Sequence, residues 1–436
     1  AGASVGLGNI WRFPYLAAKY GGGIFLLVYI ILALTFGYTL IMAETSLGRM
    51  TRKSPVGAFE SFGNSHFISI GGWINAIIPI LIVPYYSVIG GWVIKYLIEY
   101  FAGHSKTLAG DAYFTTFISN GWSTEICFII FTLFTLGIIY AGVRNGIERV
   151  SRFMMPILIV LSLIIAVYSV TRPGAIEGVK YFLVPNFDHF SWMTVVSAMG
   201  QMFYSLSIAM GILITFGSYM KKDTSIEKST ENVEIFDTAI AIMAGLMIIP
   251  AVFAFSGGNA ETLKSGPALM FITIPKVFAN MGFGTAIGIV FFLLVLFAAV
   301  TSSIALTESA VSTFEDELHW SRKKSTVFMG MVMLLLGTLS CLGYGPLANF
   351  KILGMQFLDF FDFITNSVMM PIAAIATCLL VSKVVGVDKI EEEIKKDGQA
   401  FRRKKIFCFM IKYLCPLFAA IILISSVANA FGIITM

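Results

Sequence analysis

Near the start of the chain lies the stretch that most restricts the fold, Gly2-Ala3-Ser4-Val5-Gly6-Leu7-Gly8-Asn9-Ile10-Trp11-Arg12-Phe13-Pro14. Flexible and polar residues interrupt an otherwise apolar segment here, residues 1–20. Glycine destabilises a helix interior and is found at sharp kinks. The stretch therefore predicts a helix that is broken near residues 5–7. A nucleotide-binding glycine loop is a poor interpretation, because no strand precedes Gly6 and no strand–helix–strand pattern surrounds it.

Outward from this stretch, the composition is typical of a membrane protein. Of the 436 residues, 57% are hydrophobic and 13% are charged, whereas about a quarter of a soluble domain is charged. Apolar runs of about 20 residues are long enough to cross a bilayer as helices. We therefore predict an all-α polytopic membrane protein. Its apolar segments, numbered one to eleven below, are residues 1–20, 23–47, 73–101, 126–142, 153–170, 195–219, 235–255, 283–314, 327–343, 360–381 and 406–434.

The distribution of Lys and Arg indicates the orientation in the membrane. The loops after segments two, four, six, eight and ten hold twenty of the thirty Lys and Arg residues. Basic residues accumulate on the cytoplasmic side, so the N-terminus is predicted to be cytoplasmic and the C-terminus external. The most charged loop, residues 383–405, is interpreted as a solvated cytoplasmic connection. Because the charges lie between apolar runs and form no concentrated basic face, nucleic-acid binding is not expected.

Cysteine and histidine give no support for a disulfide framework, a zinc site or an enzyme. The five cysteines lie in apolar segments without a CxxC pair, and the four histidines are scattered through connecting segments. Nucleophilic catalysis would need a base beside a nucleophile. No histidine lies in a segment to serve Ser205, Ser207 or Ser302, so an intramembrane enzyme is not expected.

Segment six repeats the irregularity of segment one. It contains Gly200-Gln201 and then Ser205-Leu206-Ser207-Ile208-Ala209-Met210-Gly211. The chain crosses the membrane five times between equivalent points of the two stretches, and an odd number of crossings inverts orientation. Interrupted helices at matching positions of two inverted repeats indicate a transporter binding site.

The repeats divide the chain into five parts. Residues 1–170 form the first inverted repeat, 171–194 an external loop, 195–382 the second repeat, 383–405 the charged cytoplasmic loop and 406–436 segment eleven. Residues 1–14 reach across only about two-thirds of the hydrocarbon core. We therefore expect the natural chain to be longer at its N-terminus.

Polar groups in other segments are further candidates for function. Segment eight contains Thr301-Ser302-Ser303, where a hydroxyl either bonds back to its own helix or helps to bind an ion. Ionisable residues at membrane depth are functional candidates by default. Those here are Arg12, Glu44, Asp237, Glu308, Asp359 and Asp362. Glu44 and Glu308 also fit a structural hydrogen-bond network, whereas Arg12 and Asp362, both near external ends, fit a gating ion pair.

Taken together, the motifs closely resemble the neurotransmitter:sodium symporters. The resemblance rests on Gly6-Leu7-Gly8-Asn9, Trp11-Arg12-Phe13-Pro14-Tyr15, Gly21-Gly22-Gly23, Tyr85-Tyr86, Ser205-Leu206-Ser207 and Thr301-Ser302-Ser303-Ile304-Ala305. It covers essentially the whole chain and is strongest to the bacterial eleven-span amino-acid transporters, including those for tyrosine and tryptophan. It implies the inverted-repeat fold with broken first and sixth helices and a bacterial inner-membrane location.

The resemblance also implies two sodium sites. The first would be formed by the Ser4 carbonyl, the Asn9 side chain, Ser205 and a segment-seven residue, for which Asp237 is our candidate. The substrate carboxylate would complete it, so that each ligand binds part of the other's site. The second would use the carbonyls of Gly2, Val5 and Ala298 with the hydroxyls of Thr301 and Ser302.

Substrate contacts and gates follow from the same resemblance. The implied substrate contacts are Ser4, Leu7, Gly8, Ile82, Tyr86, Tyr204, Ser207, Met210, Ser302 and Leu306; ordinary helix packing is the alternative for the apolar and aromatic members. Tyr204 would close the pocket beneath the Arg12–Asp362 pair. Asp316 would belong to an inner gate whose basic partner is expected upstream of Ala1.

Asp237 leads to a prediction about chloride. Animal members need chloride near the first sodium site, where the matching residues here are Tyr29, Gln201 and Ser205. A buried Asp237 beside sodium would supply that negative charge, so chloride is not expected to be required. The alternative is that Asp237 caps the start of segment seven near the cytoplasmic interface.

The function that we predict is sodium-coupled symport, importing a neutral hydrophobic or aromatic L-amino acid by alternating access. Monoamine carriers of the family have an Asp at the position of Gly6, which here is left free for the substrate's own carboxylate. Flexible Met210, with Ile82 and Leu306, would form an apolar wall for a large side chain. The alternatives are a carrier of another small solute and an ion channel. The expected partners are this substrate and the lipid bilayer, and no oligomeric state is predicted.

Overall fold

The computed structural model describes residues 6–63, 65–258 and 268–433. Within those ranges nine helices are long and apolar enough to cross a membrane. They are Gly23–Thr51, His66–Phe101, Gly121–Tyr140, Val143–Val170, Ile226–Ser256, Gly284–Glu317, Arg322–Leu342, Phe357–Val385 and Lys404–Ala430. Each corresponds to one predicted segment, from two to five and from seven to eleven. The all-helical class is confirmed, and the total of eleven crossings stays a prediction.

Segments one and six are the two that form no long continuous helix. Segment one continues from a short π-helical stretch, Gly8–Arg12, into Phe13–Lys19; residues 1–5 lie outside the described part of the chain. Segment six consists of Trp192–Ser205 and Ile212–Tyr219. Between these halves, Ser207 and Ala209 have φ of 54° and 57°, and Gly211 has φ of 71°. Left-handed conformations end a right-handed helix, so the predicted interruption of segment six is present.

Several helices begin earlier than the apolar pattern predicts, because polar N-caps and charged first turns extend them. Segment seven was expected from residue 235, but its helix starts at Ile226, where the Ser225 side chain accepts the Lys228 N–H as an N-cap. The helix of segment nine likewise starts at Arg322, after an N-cap at Ser321. Hydropathy detects the apolar part of a helix and misses its solvated end.

Two connecting stretches are more ordered than predicted. The external loop, residues 171–194, contains the helix Ala175–Leu183. The charged loop, residues 383–405, contains the helix Val387–Ile394, whose apolar residues Val387, Ile390 and Ile394 are buried. The connection of residues 383–405 is therefore partly packed against the protein, and its cytoplasmic location stays a prediction.

Helices His66–Phe101 and Gly284–Glu317 form the centre of the molecule. In their most apolar windows 78% and 72% of residues are buried, against 33% for Val143–Val170 and for Lys404–Ala430. Glycines allow the central helices to approach their neighbours: a Cβ on Gly288 would lie 2.1 Å from the Tyr100 ring. The two broken segments pack against this pair, which places their interruptions inside the protein.

Candidate substrate and sodium sites

A small cavity lies where the interruptions of segments one and six meet the two central helices. It measures about 30 Å³ and is lined by Gly6, Leu7, Gly8, Ile82, Tyr86, Tyr204, Ser207, Met210, Ser302 and Leu306. All the described residues predicted to contact the substrate are therefore together; Ser4 lies outside the described part. The sequence interpretation did not include Gly6 as a lining residue. Because about 10–15 Å³ holds one water molecule, the side chains must move apart to admit a bulky solute.

One end of the cavity is polar and has backbone within reach. The Leu7 N–H donates to the Tyr86 hydroxyl over 3.4 Å. A Cβ on Gly6 would lie 2.5 Å from Ser302 Oγ and 3.4 Å from the Tyr86 hydroxyl. Any side chain at position 6 would therefore fill this end, so glycine leaves room there for a group of the ligand.

The other end is apolar and is closed by an aromatic ring. Ile82, Met210 and Leu306 line it together with Tyr204. A Cβ on Gly8 would lie 2.3 Å from Tyr204 Cδ1. Gly8 therefore allows the Tyr204 ring to lie directly against the backbone of segment one.

Asp237 lies beside the cavity in a fully buried hydrogen-bond cluster. Its Oδ1 accepts the Asn9 amide at 2.9 Å and the Ser205 hydroxyl at 2.5 Å, and its Oδ2 accepts the Tyr29 hydroxyl at 2.6 Å. The helix that carries it begins eleven residues earlier, at Ile226, which is about 16 Å along the axis. The alternative that Asp237 caps this helix is therefore wrong. Gln201, next to the cluster, donates to the Gly8 carbonyl at 3.1 Å.

The segment-eight residues of the predicted second sodium site lie together, and their role in binding sodium stays a prediction. Ala298, Thr301 and Ser302 lie buried on neighbouring turns of the helix Gly284–Glu317. The Thr301 hydroxyl donates to the Phe297 carbonyl at 3.0 Å and to the Ala298 carbonyl at 3.1 Å, so in this structure it bonds back to its own helix. The remaining predicted ligands, Gly2 and Val5, lie outside the described residues. Hydroxyl and carbonyl oxygens are hard ligands, and without a carboxylate among them they suit a monovalent cation.

A second, larger cavity of about 340 Å³ lies on the other side of Tyr204. Arg12 and Asp362 both line it, but no direct ion pair joins them among the described residues. Asp362 Oδ1 instead accepts the Asn366 amide at 2.6 Å and the Tyr85 hydroxyl at 3.2 Å. The Arg12 guanidinium lies over the Tyr204 ring, 5.3 Å from its centroid. Arg12, Tyr204 and Asp362, predicted for the external gate, thus line one cavity. Tyr204 lies between the two cavities, and the Arg12–Asp362 ion pair is not formed.

Glu44, Glu308 and Asp316 have structural partners. Glu44 is fully buried and accepts the Ala209 N–H at 2.7 Å, at the interruption of segment six. Glu308 pairs with Arg322 at 2.6 Å and accepts the Tyr219 hydroxyl at 2.7 Å. Asp316 accepts the Ser54 N–H at the start of the helix Pro55–Glu60. In the part of the chain that the structure describes, Asp316 has no basic partner.

These features define a class: a helical membrane transporter with its binding site between two interrupted helices. The sequence matches the Sodium:neurotransmitter symporter family over residues 1–128 and 114–433. It is 33% identical to YhdH, an uncharacterized sodium-dependent transporter of Bacillus subtilis (strain 168), over 100% of this chain and 96% of that protein. An uncharacterized sodium-dependent transporter of Haemophilus influenzae is 30% identical, over 98% of this chain and 95% of its own.

A solved structure has the same fold. The crystal structure of MhsT in complex with L-phenylalanine matches this chain with a TM-score of 0.87 and 34% identity, over 98% of this chain and 96% of that one. The chain belongs to the sodium:neurotransmitter symporter family. It is a sodium-dependent, multi-pass membrane transporter of small molecules, and not an enzyme.

Proposed function

We propose that this symporter imports a neutral L-amino acid with a bulky hydrophobic or aromatic side chain. The observation that carries the proposal is the shape of the small cavity, which is polar at Gly6 and Tyr86 and apolar at Ile82, Met210 and Leu306. Among the described residues that line the cavity none carries a carboxylate, so the substrate brings its own to the polar end. The 34% identity to MhsT, solved with L-phenylalanine, supports the same substrate class.

Two sodium ions accompany the substrate. The first lies between the Ser4 carbonyl, Asn9, Ser205 and the substrate carboxylate, with Asp237 as the nearby negative charge. The second lies between segment one, at Gly2 and Val5, and the segment-eight oxygens of Ala298, Thr301 and Ser302. Because the substrate carboxylate completes the first site, sodium and amino acid each raise the affinity for the other.

Chloride is not required for uptake. Asp237 forms hydrogen bonds with Asn9, Ser205 and Tyr29, which include two of the residues that match the chloride site of animal members. A buried charge is costly unless it is paired and hydrogen-bonded. With three donors around it and sodium beside it, the Asp237 carboxylate remains ionised and takes the place of the anion.

Transport proceeds by alternating access from the external side. The 340 Å³ cavity is the external vestibule, and Tyr204 separates it from the substrate. This assignment places the N-terminus in the cytoplasm and the C-terminus outside, in the bacterial inner membrane. Closing the vestibule brings Arg12 towards Asp362, which already lines the same space.

Uptake into proteoliposomes tests the proposal. A sodium gradient directed inward should drive saturable accumulation of radiolabelled L-phenylalanine or L-tryptophan, and potassium in place of sodium should abolish it. An ion flux that rises linearly without saturation would favour a channel. Sodium-driven uptake of a solute that no amino acid inhibits would favour the carrier of another small solute.

A further inference from the structure

Five charged residues on the face predicted to be cytoplasmic form a cluster that the transport site does not use. We call them the cytoplasmic clamp: Arg49, Glu227, Glu234, Glu393 and Arg403. Arg49 is 2% exposed and the three glutamates are 3–4% exposed. Charges buried to this degree need close partners, and here the partners come from segments far apart in the sequence.

Arg49, at the end of segment two, joins three parts of the chain. Its Nε pairs with Glu393 Oε1 at 2.7 Å, and its guanidinium also donates to the Glu393 carbonyl. The same guanidinium donates to the carbonyls of Thr224 at 2.6 Å and of Lys222 at 3.5 Å. The loop between segments six and seven is therefore tied to segment two and to the helix Val387–Ile394.

Glu227 and Arg403 make a second set of links. The Glu227 carboxylate accepts the Arg402 N–H at 2.9 Å, the Arg403 N–H at 3.2 Å and the Tyr38 hydroxyl at 2.9 Å. The Arg403 guanidinium forms a bidentate pair with Glu234, at 3.1 and 3.0 Å. It also lies over the Tyr38 ring, 4.3 Å from the centroid. The start of segment seven is thereby fastened to segment two and to the connection between segments ten and eleven.

The clamp has only two favourable arrangements. Removing one partner of a buried pair leaves an uncompensated charge, which is strongly destabilising. Partial separation of these segments would leave several such charges at once. The groups are therefore stable when they are paired as observed, or when the segments have parted far enough for water to reach them.

The clamp borders a cavity of about 530 Å³ that reaches Thr301. Thr45, Thr224, Ser229 and Thr230 contribute to its wall. Thr224 is held by Arg49 through its carbonyl. Ser229 and Thr230 follow Glu227 in the same helix, and Thr45 lies one turn before Arg49 in segment two. The clamp thus holds the parts of segments two and seven, and of the loop before segment seven, that form one side of this cavity.

We propose that the clamp is the element that keeps this cavity narrow, and that its release widens the path from the cytoplasm to Thr301. The proposal rests on the proposed function in one respect, because Thr301 is there a sodium ligand. The connection between segments ten and eleven then acts as a strap whose pairing with segments two and seven favours the state closed to the cytoplasm.

The test measures access to the cavity wall directly. Ser229→Cys places a thiol on the wall, and its labelling by a membrane-impermeant maleimide is followed in inside-out vesicles, with the parent as background for the five native cysteines. Glu393→Gln, which removes the charge that pairs with Arg49, should raise the labelling rate at least fivefold. Lys395→Gln is the matched control, because it removes an exposed ion pair with Glu391 near the same helix; it should leave the rate unchanged.

Equal labelling rates in Glu393→Gln and Lys395→Gln would overturn the proposal. If Glu393→Gln does not yield monodisperse protein, Arg403→Lys replaces it, because lysine keeps the charge but loses the bidentate pair with Glu234. An unchanged labelling rate in Arg403→Lys would also overturn the proposal. The labelling needs neither sodium nor substrate. A parent without sodium-driven amino-acid uptake would therefore refute the proposed function, while the labelling result still decides the role of the clamp.

Discussion

Replacing Asp237 by serine should make transport dependent on chloride. The carboxylate accepts three buried donors, from Asn9, Tyr29 and Ser205. The Asn9 amide and the Tyr29 hydroxyl keep Ser205 Oγ as an acceptor, at 2.8 and 2.9 Å, but each loses its hydrogen bond to the carboxylate. At about 1 kcal/mol for each lost bond the cost is about 2 kcal/mol. This corresponds to about a thirtyfold loss at 1.4 kcal/mol per factor of ten. The loss should appear in uptake at subsaturating sodium, because Asn9 and Ser205 are also proposed sodium ligands.

The assay compares uptake in sodium chloride and in sodium gluconate. The parent should transport equally in both, whereas Asp237→Ser should be about thirtyfold slower in gluconate and recover in chloride, which occupies the space left by the carboxylate. Asp188→Ser, at an exposed acid of the external loop, controls for loss of negative charge. A parent that loses uptake in gluconate, or folded Asp237→Ser that chloride does not rescue, would refute the role of Asp237.

Three further predictions concern the same site. Thr301→Ala should raise the sodium concentration for half-maximal uptake about tenfold, roughly the contribution of one hydrogen bond to a charged group, with little change in substrate affinity at saturating sodium. Thr307→Ala, which removes a hydroxyl bonded to its own helix at 2.7 Å, is the control, and equal sodium curves for the two would remove Thr301 from the site. Gly8→Ala should weaken substrate binding by about 1–3 kcal/mol of overpacking, because its Cβ would lie 2.3 Å from Tyr204; unchanged affinity in a competition assay would show that the ring does not close there. Among competitors, tyrosine, tryptophan, phenylalanine and leucine should displace label best, and displacement by glycine or a decarboxylated amine instead would overturn the substrate class.

The apolar pattern was sufficient to predict the nine long helices, and the glycine and polar residues of segment six predicted its interruption, but the apolar pattern misjudged the start of segment seven. Residues 226–234 contain several charged side chains and look like a loop. They are helical because their charges have partners far along the chain, as in the Glu234–Arg403 pair and the Glu227 contacts to the Arg402 and Arg403 N–H groups. The sequence around residues 226–234 does not reveal partners that lie so far along the chain. The error moved the helix start past residue 226 and left the depth of Asp237 ambiguous.

The described residues predicted to contact the substrate line one cavity, whereas the predicted Arg12–Asp362 pair is not formed; that the cavity residues bind substrate stays a prediction. The lining of the small cavity was implied by the family resemblance, and it depends on helix packing, which relatives of the same fold share. An ion pair such as Arg12–Asp362 forms only when the helices have moved close together. Side chains that line one cavity have different hydrogen-bond partners in the open and the closed conformations. In this structure Asp362 bonds to Asn366 and Tyr85, a choice that sequence does not reveal.

At the interruption of segment six, the Glu44 side chain and a carbonyl of a continuous helix would compete for the Ala209 N–H. Ser207 and Ala209 are left-handed without being glycine, and this conformation costs roughly 1–2 kcal/mol for each such residue. The fully buried Glu44 side chain accepts the Ala209 N–H, and a hydrogen bond of this kind contributes about 0.5–1.5 kcal/mol. A continuous helix would direct that N–H to its own carbonyl and leave Glu44 buried without a donor. The hydrogen bond from segment six to Glu44 of segment two therefore offsets part of the cost of the unwound backbone, which lines the small cavity at Ser207 and Met210.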